Sequence, residues 1–233
     1  MVDAVLRGDA DESVASRAST LGWVGNPPQV AVVIGTAPAD PGVAVEAIRG
    51  ATAKLSLDLL AAPQGDRLVL VVGGTLVSSE ALARRVSGFV DRFGPGPVVI
   101  GPPVADLAEA TQSARAALSA MRVARAWPEA PRPVTAQDLL PERAVAGEGS
   151  ARRTLAGELY QPLLAAGGDL LETLSSYFDE NGSVEATARA LFVHPNTVRY
   201  RLRRVQELVG YSPFHARDAY ALRLALTFGR LLD

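Results

Sequence analysis

Residues 182–210 read GSVEATARALFVHPNTVRYRLRRVQELVG, and how this stretch folds decides how the rest of the chain is read. Ser183 is a good N-cap for a short helix over Val184–Leu191. Val184, Ala188 and Leu191 fall on one face of that helix, and the small Ala188 lets a second helix cross closely. A short turn follows. Pro195, favoured at a first helical position, then opens a longer helix running to Val209. Val198, Leu202, Val205 and Val209 recur at steps of four, three and four, so the second helix has one apolar seam. Short helix, turn, longer helix is the helix-turn-helix plan.

The other face of the second helix carries the chemistry. With about 100° per residue, Asn196, Tyr200 and Arg203 lie roughly opposite the seam, and Thr197, Arg199 and Arg204 flank them. Asn can bond an adenine edge bidentately and Arg a guanine edge in the major groove. Thr and Tyr can reach phosphates or thymine methyls. The helix N-terminus adds free backbone amides. From His194 to Arg204 there are four arginines and no acid. The bland alternative is a solvated arginine face on an ordinary helical bundle. The turn length, Pro195, the Asn-Thr pair in the first turn and the missing acid together favour a DNA-reading helix over it. Six residues are therefore the DNA-binding candidates: Asn196, Thr197, Arg199, Tyr200, Arg203 and Arg204.

Working outward, the surroundings of this stretch look helical throughout. Thr154–Leu164, Asp169–Asp179 and His215–Leu232 have helical spacing, with Leu170, Leu171, Leu174 and Phe178 on one face and a stop at Asn181-Gly182. Residues 153–233 are thus expected to form an all-α domain. Residues 128–152, rich in Pro, Ala, Gly and Glu, are expected to be a linker. Before them the pattern changes. Gln29–Ile34, Leu55–Leu60, Arg67–Val72 and Val98–Ile100 are strand-like, with Pro63-Gln64-Gly65-Asp66 turning the middle pair into a hairpin. Val43–Lys54, Ser79–Phe93 and Asp106–Arg125 are helical, and a further helix end is expected at Ser13–Leu21. The fold class is therefore α+β, an α/β layered domain over residues 1–127, followed by the all-α helix-turn-helix domain.

At this point the chain resembles a known family. The segment ETLSSYFDENGSVEATARALFVHPNTVRYRLRRVQELVG, with the tail YSPFHARDAYALRLAL, is similar to the C-terminal helix-turn-helix of PucR/CdaR bacterial transcription regulators. The run from His194 to Leu202 carries the resemblance most specifically. The layout from LGWVGNPPQVAVVIG to DLAEATQSARAALSAMRVA resembles that family's central domain, a degenerate relative of the GGDEF cyclase fold. The resemblance implies binding to double-stranded promoter DNA as a homodimer or larger homo-oligomer. It also implies a small-molecule effector acting through a further N-terminal domain. The chain starts close to where the central domain should start, so a truncated chain or an unusually short member is expected.

Composition narrows the alternatives. The net charge of −2 says little, but residues 1–150 hold 13 Lys/Arg against 16 Asp/Glu, and residues 151–233 hold 10 against 9. With no cysteine and two histidines, no cofactor and no metal site is expected. No apolar run nears the roughly 20 residues needed to span a bilayer, and the acidic start is unlike a signal peptide, so a cytoplasmic protein is expected. A cyclase needs acidic metal ligands after its first strand and in its hairpin turn. Here the strand ends Val33-Ile34-Gly35-Thr36, with no acid before Asp40, and the turn is Gln64-Gly65-Asp66-Arg67. Those carboxylates are too few for two metal ions, so no enzyme activity is expected. Gly73-Gly74-Thr75 could cradle a phosphate, though it lacks P-loop spacing. The second live reading is a non-catalytic dimerisation or protein-interaction module that does not itself bind DNA.

Overall fold

The computed structural model describes Val2, Asp3, Trp23 and residues 27–232 apart from Gly168; the helix end expected at Ser13–Leu21 lies outside them. The chain divides into two compact units, residues 1–142 and 143–233.

The first unit is built on a five-stranded sheet. Its described elements are β1 (Gln29–Thr36), α1 (Pro41–Lys54), β2 (Asp58–Gln64), β3 (Arg67–Gly74), α2 (Ser79–Val86) with a 3-10 segment over Ser87–Arg92, β4 (Val98–Ile100), α3 (Ala110–Val123) and β5 (Val134–Thr135). The strand order is β2-β3-β1-β4-β5. All pairings are antiparallel except β4 with β5. The expected hairpin forms, with Gln64 opposite Arg67 and Gly65 supplying the left-handed φ of 60° that the turn requires. Pro63 is tolerated because β2 is an edge strand.

β1 and β3 read as continuous apolar runs because both faces of the sheet are covered. Ala31, Val33, Leu68, Leu70 and Val72 pack with Ala44 and Ile48 of α1 and Leu82 and Val86 of α2. Val30, Val32, Ile34, Val69 and Val71 pack on the other face with the alanines of α3. Those alanines let α3 lie close to the sheet, and the buried Ser113 hydroxyl accepts from the Val32 amide at 2.9 Å.

Residues 128–152 are not the expected linker. Val134 and Thr135 add a strand, and Val134, Ala136 and Leu139 join the core of the first unit. Arg132 pins the approach to that strand. Its Nε donates to the Gly96 carbonyl at 2.8 Å and its Nη2 to the Gly94 carbonyl at 2.8 Å. Past a short helix, α4 (Leu140–Val145), the helical unit is already under way before residue 153. Arg143 and Glu148 form a bidentate pair there, with contacts of 2.9 and 2.6 Å.

The second unit is all helical: α5 (Gly149–Leu155), a π turn over Ala156–Tyr160, α6 (Gln161–Ala166), α7 (Leu170–Asp179), α8 (Val184–Ala190), α9 (Pro195–Val209) and α10 (Ala216–Leu232). Leu170, Leu174 and Phe178 of α7, Val198, Leu202 and Val205 of α9, and Leu222 and Leu226 of α10 share one core. Gly229 of α10 lies against the Tyr160 ring, where any β-carbon would clash. Among the described residues, no helix is long and apolar enough to cross a membrane.

Candidate nucleic-acid interface

The helix pair forms as its local chemistry dictates. Ser183 caps α8, its hydroxyl accepting from the Ala186 amide at 3.2 Å. Val193 donates back to the Ala188 carbonyl at 3.0 Å and so closes the turn. His194 caps α9, its Nδ1 accepting from the Asn196 amide at 3.2 Å, and Pro195 takes the first helical position. Gly210 ends the helix in the left-handed conformation, with φ of 75°. Val198, Leu202 and Val205 are fully buried where α9 packs on α7 and α8, which fixes the rotation of α9 about its axis.

That rotation decides where the six candidate residues point. Asn196, Tyr200, Arg203 and Arg204 are exposed, and Thr197 and Arg199 are half-buried. Tyr200 is 67% exposed, a large aromatic surface left to solvent. Neither Tyr200 nor Arg203 has a hydrogen-bonding or charged partner among the described residues. The other arginines are engaged. Arg199 donates to Glu185 Oε1 of α8 at 2.7 Å and to Asn196 Oδ1 at 3.2 Å. Arg204 donates to Glu207 Oε2 at 3.0 Å. Arg201 turns the other way. Its Nη2 meets Asp169 Oδ2 at 2.8 Å and its Nη1 donates to Thr173 Oγ1 at 3.1 Å, clamping α9 to α7.

Sequence reasoning left Arg201 without a role. The signal was there: on the helical wheel it lies about 60° from Val198, beside the apolar seam. Sequence reasoning also passed over Phe192. It sits in the turn at a φ of 53°, a region costly for an aromatic residue, and is 96% exposed.

The other features singled out in the sequence are occupied structurally. A β-carbon at Gly73 would strike Trp23 and Pro27, and one at Gly74 would strike Leu57, so both glycines serve packing and the phosphate-cradle reading loses its support. Asp40 is the N-cap of α1, accepting from the Val43 amide at 3.1 Å. Asp66 lies 3.8 Å from its neighbour Arg67 in the hairpin turn.

Comparison with known proteins agrees with this geometry. The PucR C-terminal helix-turn-helix domain model matches residues 170–228, which contain α7 to α9 and most of α10. The GGDEF-like domain model matches residues 7–123, half of the chain. The chain belongs to the PucR/CdaR regulator family. A regulator of polyketide synthase expression from Bifidobacterium adolescentis has the same fold, with a TM-score of 0.79 and 30% sequence identity, covering 100% of this chain and 91% of that one. An uncharacterized protein of Mycobacterium tuberculosis is 41% identical over 99% of this chain, which spans 57% of that relative's length. The purine catabolism regulatory protein of Bacillus subtilis is 44% identical over 64 residues, 28% of this chain and 12% of that protein. The shared fold carries over the α+β domain followed by the helical one, and the PucR-type motif matches where the exposed face of α9 stands.

Proposed function

We propose that this chain is the DNA-binding part of a transcription regulator and that α9 reads the major groove of promoter DNA. The observation that carries the reading is the exposed pair Tyr200 and Arg203, without a partner among the described residues and held outward by a fully buried seam on the same helix. Arg203 and Asn196 contact base edges, and Tyr200 packs on a thymine methyl or a sugar. Thr197, Arg199 and Arg204 meet phosphates or flanking bases, the two arginines exchanging Glu185 and Glu207 for the backbone. One module of this size buries too little surface for tight specific binding, so the chain acts as a homo-oligomer on repeated half-sites. The GGDEF-like domain serves assembly and signal transmission without catalysis, since its Asp40 caps a helix and its hairpin turn holds a single acid.

Genome-wide mapping of bound DNA, followed by salt-titrated binding to the strongest site, tests this. Affinity should fall linearly in log–log form as salt rises. Absence of any enriched site, together with no salt-dependent DNA binding, would leave a protein-interaction module in its place.

A further inference from the structure

In the first unit, a groove of about 890 Å³ runs between α1 and α2 with its 3-10 continuation. Its size is within the range of small-molecule sites. Lys54, Arg84, Arg85 and Arg92 line it, and Lys54 is the chain's single lysine. None of the four has a carboxylate partner among the described residues. One acid lines the groove, Glu46, and it lies 3.7 Å from Arg49. A helix C-terminus favours a cation in its last turn. All four stand in the last turns of their segments, but that preference does not explain why three such ends meet around one concavity with no carboxylate partner among the described residues. A cleft lined by one sign of charge concentrates counter-ions of the other sign.

The groove is also kept open. Gly50 and Gly88 line it, neither has a positive φ, and a β-carbon at either would meet nothing within 4 Å. Neither the backbone nor the packing requires glycine there. In a helix interior such as that of Gly50, glycine costs roughly 0.8–1 kcal/mol relative to alanine. What the missing side chains provide is room beside the cations. Ala51 and Leu55 add an apolar surface.

We propose that this groove binds a multiply phosphorylated small molecule of the nucleotide class, its phosphates held by Lys54, Arg84, Arg85 and Arg92 and its ring laid on the small-residue floor. The site lies wholly in the GGDEF-like domain and does not depend on the DNA reading.

Calorimetric titration of the full chain with ATP, GTP and inorganic pyrophosphate tests it. At least one nucleotide should bind saturably, and pyrophosphate, lacking the ring, at least tenfold more weakly. The double variant Arg84→Ala/Arg85→Ala should weaken nucleotide binding at least tenfold. Gly50→Leu, which fills the groove while improving helix propensity, should do the same with an undiminished melting temperature. Arg122→Ala, a cation exposed on α3, should change nothing. The proposal is overturned if neither nucleotide saturates at millimolar concentration, if pyrophosphate binds as well as the nucleotides, or if Gly50→Leu binds like the wild type.

Discussion

Arg201 and Arg203 are two residues apart on one helix, and they stand in opposite surroundings, the first engaged with α7 and the second exposed. Arg201→Ala removes two hydrogen bonds, at 2.8 Å to Asp169 and 3.1 Å to Thr173. The arginine side chain is 18% exposed and Thr173 is fully buried, whereas the Asp169 side chain is 59% exposed. Hydrogen bonds to a charged group contribute about 1.5–3 kcal/mol, and the exposed Asp169 partner puts this pair at the low end. A loss of about 1–2 kcal/mol is expected. At roughly 4–8 °C per kcal/mol for a unit this small, the melting temperature of the helical unit should fall by about 4–16 °C. DNA affinity, measured well below that transition, should hold. Arg203→Ala should behave in the reverse manner. Its side chain is exposed and has no partner among the described residues, so stability should move by less than about 0.5 kcal/mol. Promoter affinity should fall by about 1–3 kcal/mol, roughly 5- to 150-fold, with relaxed discrimination at one base pair. Thermal unfolding followed by circular dichroism and salt-titrated DNA binding read the two effects separately. If Arg201→Ala melts like the wild type while Arg203→Ala binds the promoter normally, the docking face drawn from the rotation of α9 is refuted.

Leu202→Ala removes a fully buried side chain from the helical core and should cost about 2–5 kcal/mol in urea unfolding, with the fraction of DNA-competent protein falling in step. Phe192→Gly relieves a left-handed φ of 53° and removes a side chain that is 96% exposed, so the melting temperature should hold or rise; a clear fall would mean that the ring packs on something in solution. Burial raises the pKa of Tyr177 above its usual value of 10.0, because the interior disfavours phenolate. The unfolded chain then loses that proton first, so the stability it contributes is complete below pH 10 and declines as pH rises through the folded value. Melting curves at pH 8 and pH 11 should show a smaller alkaline loss for Tyr177→Phe than for the wild type.

The elements with a strong period could be read from the sequence, and those made by a few long-range contacts could not. The seam of α9, the cap at Ser183, the helix start at Pro195 and the hairpin around Gly65 are local, and each is specified by residues within one or two turns of the chain. β5 is two residues long and follows Pro133, so neither alternation nor length marks it as a strand. It forms because Val134 pairs with Val99 while Leu139 and Ala136 complete a core already started by β1 and α3. A Pro- and Ala-rich composition resembles a linker until the sheet edge it covers is known. The same tertiary override brings the helical unit's start forward, since α5 is held by packing on α10 rather than by a cap: Glu148 at its N-cap makes no side-chain cap hydrogen bond.

At the candidate interface the same division appears within one helix. The seam fixed which residues face away from the core, so Tyr200 and Arg203 could be placed outward from spacing alone. What spacing cannot show is which cations are already spent. Four arginines lie between His194 and Arg204, yet Arg201 clamps α7, Arg199 is tied to Glu185 and Arg204 to Glu207. Those acids stand 14 and 32 positions away from their arginines in two cases, beyond any local pattern. Among the described residues Arg203 is therefore the one member of the four without a partner to give up, whereas on the proposed DNA reading Arg199 and Arg204 must each release a carboxylate first. On that proposed reading, a base contact from Arg203 forms on first encounter, and phosphate contacts from its neighbours are conditional on the strong field of a duplex that displaces Glu185 and Glu207. Raising salt should thus weaken the contributions of Arg199 and Arg204 more than that of Arg203.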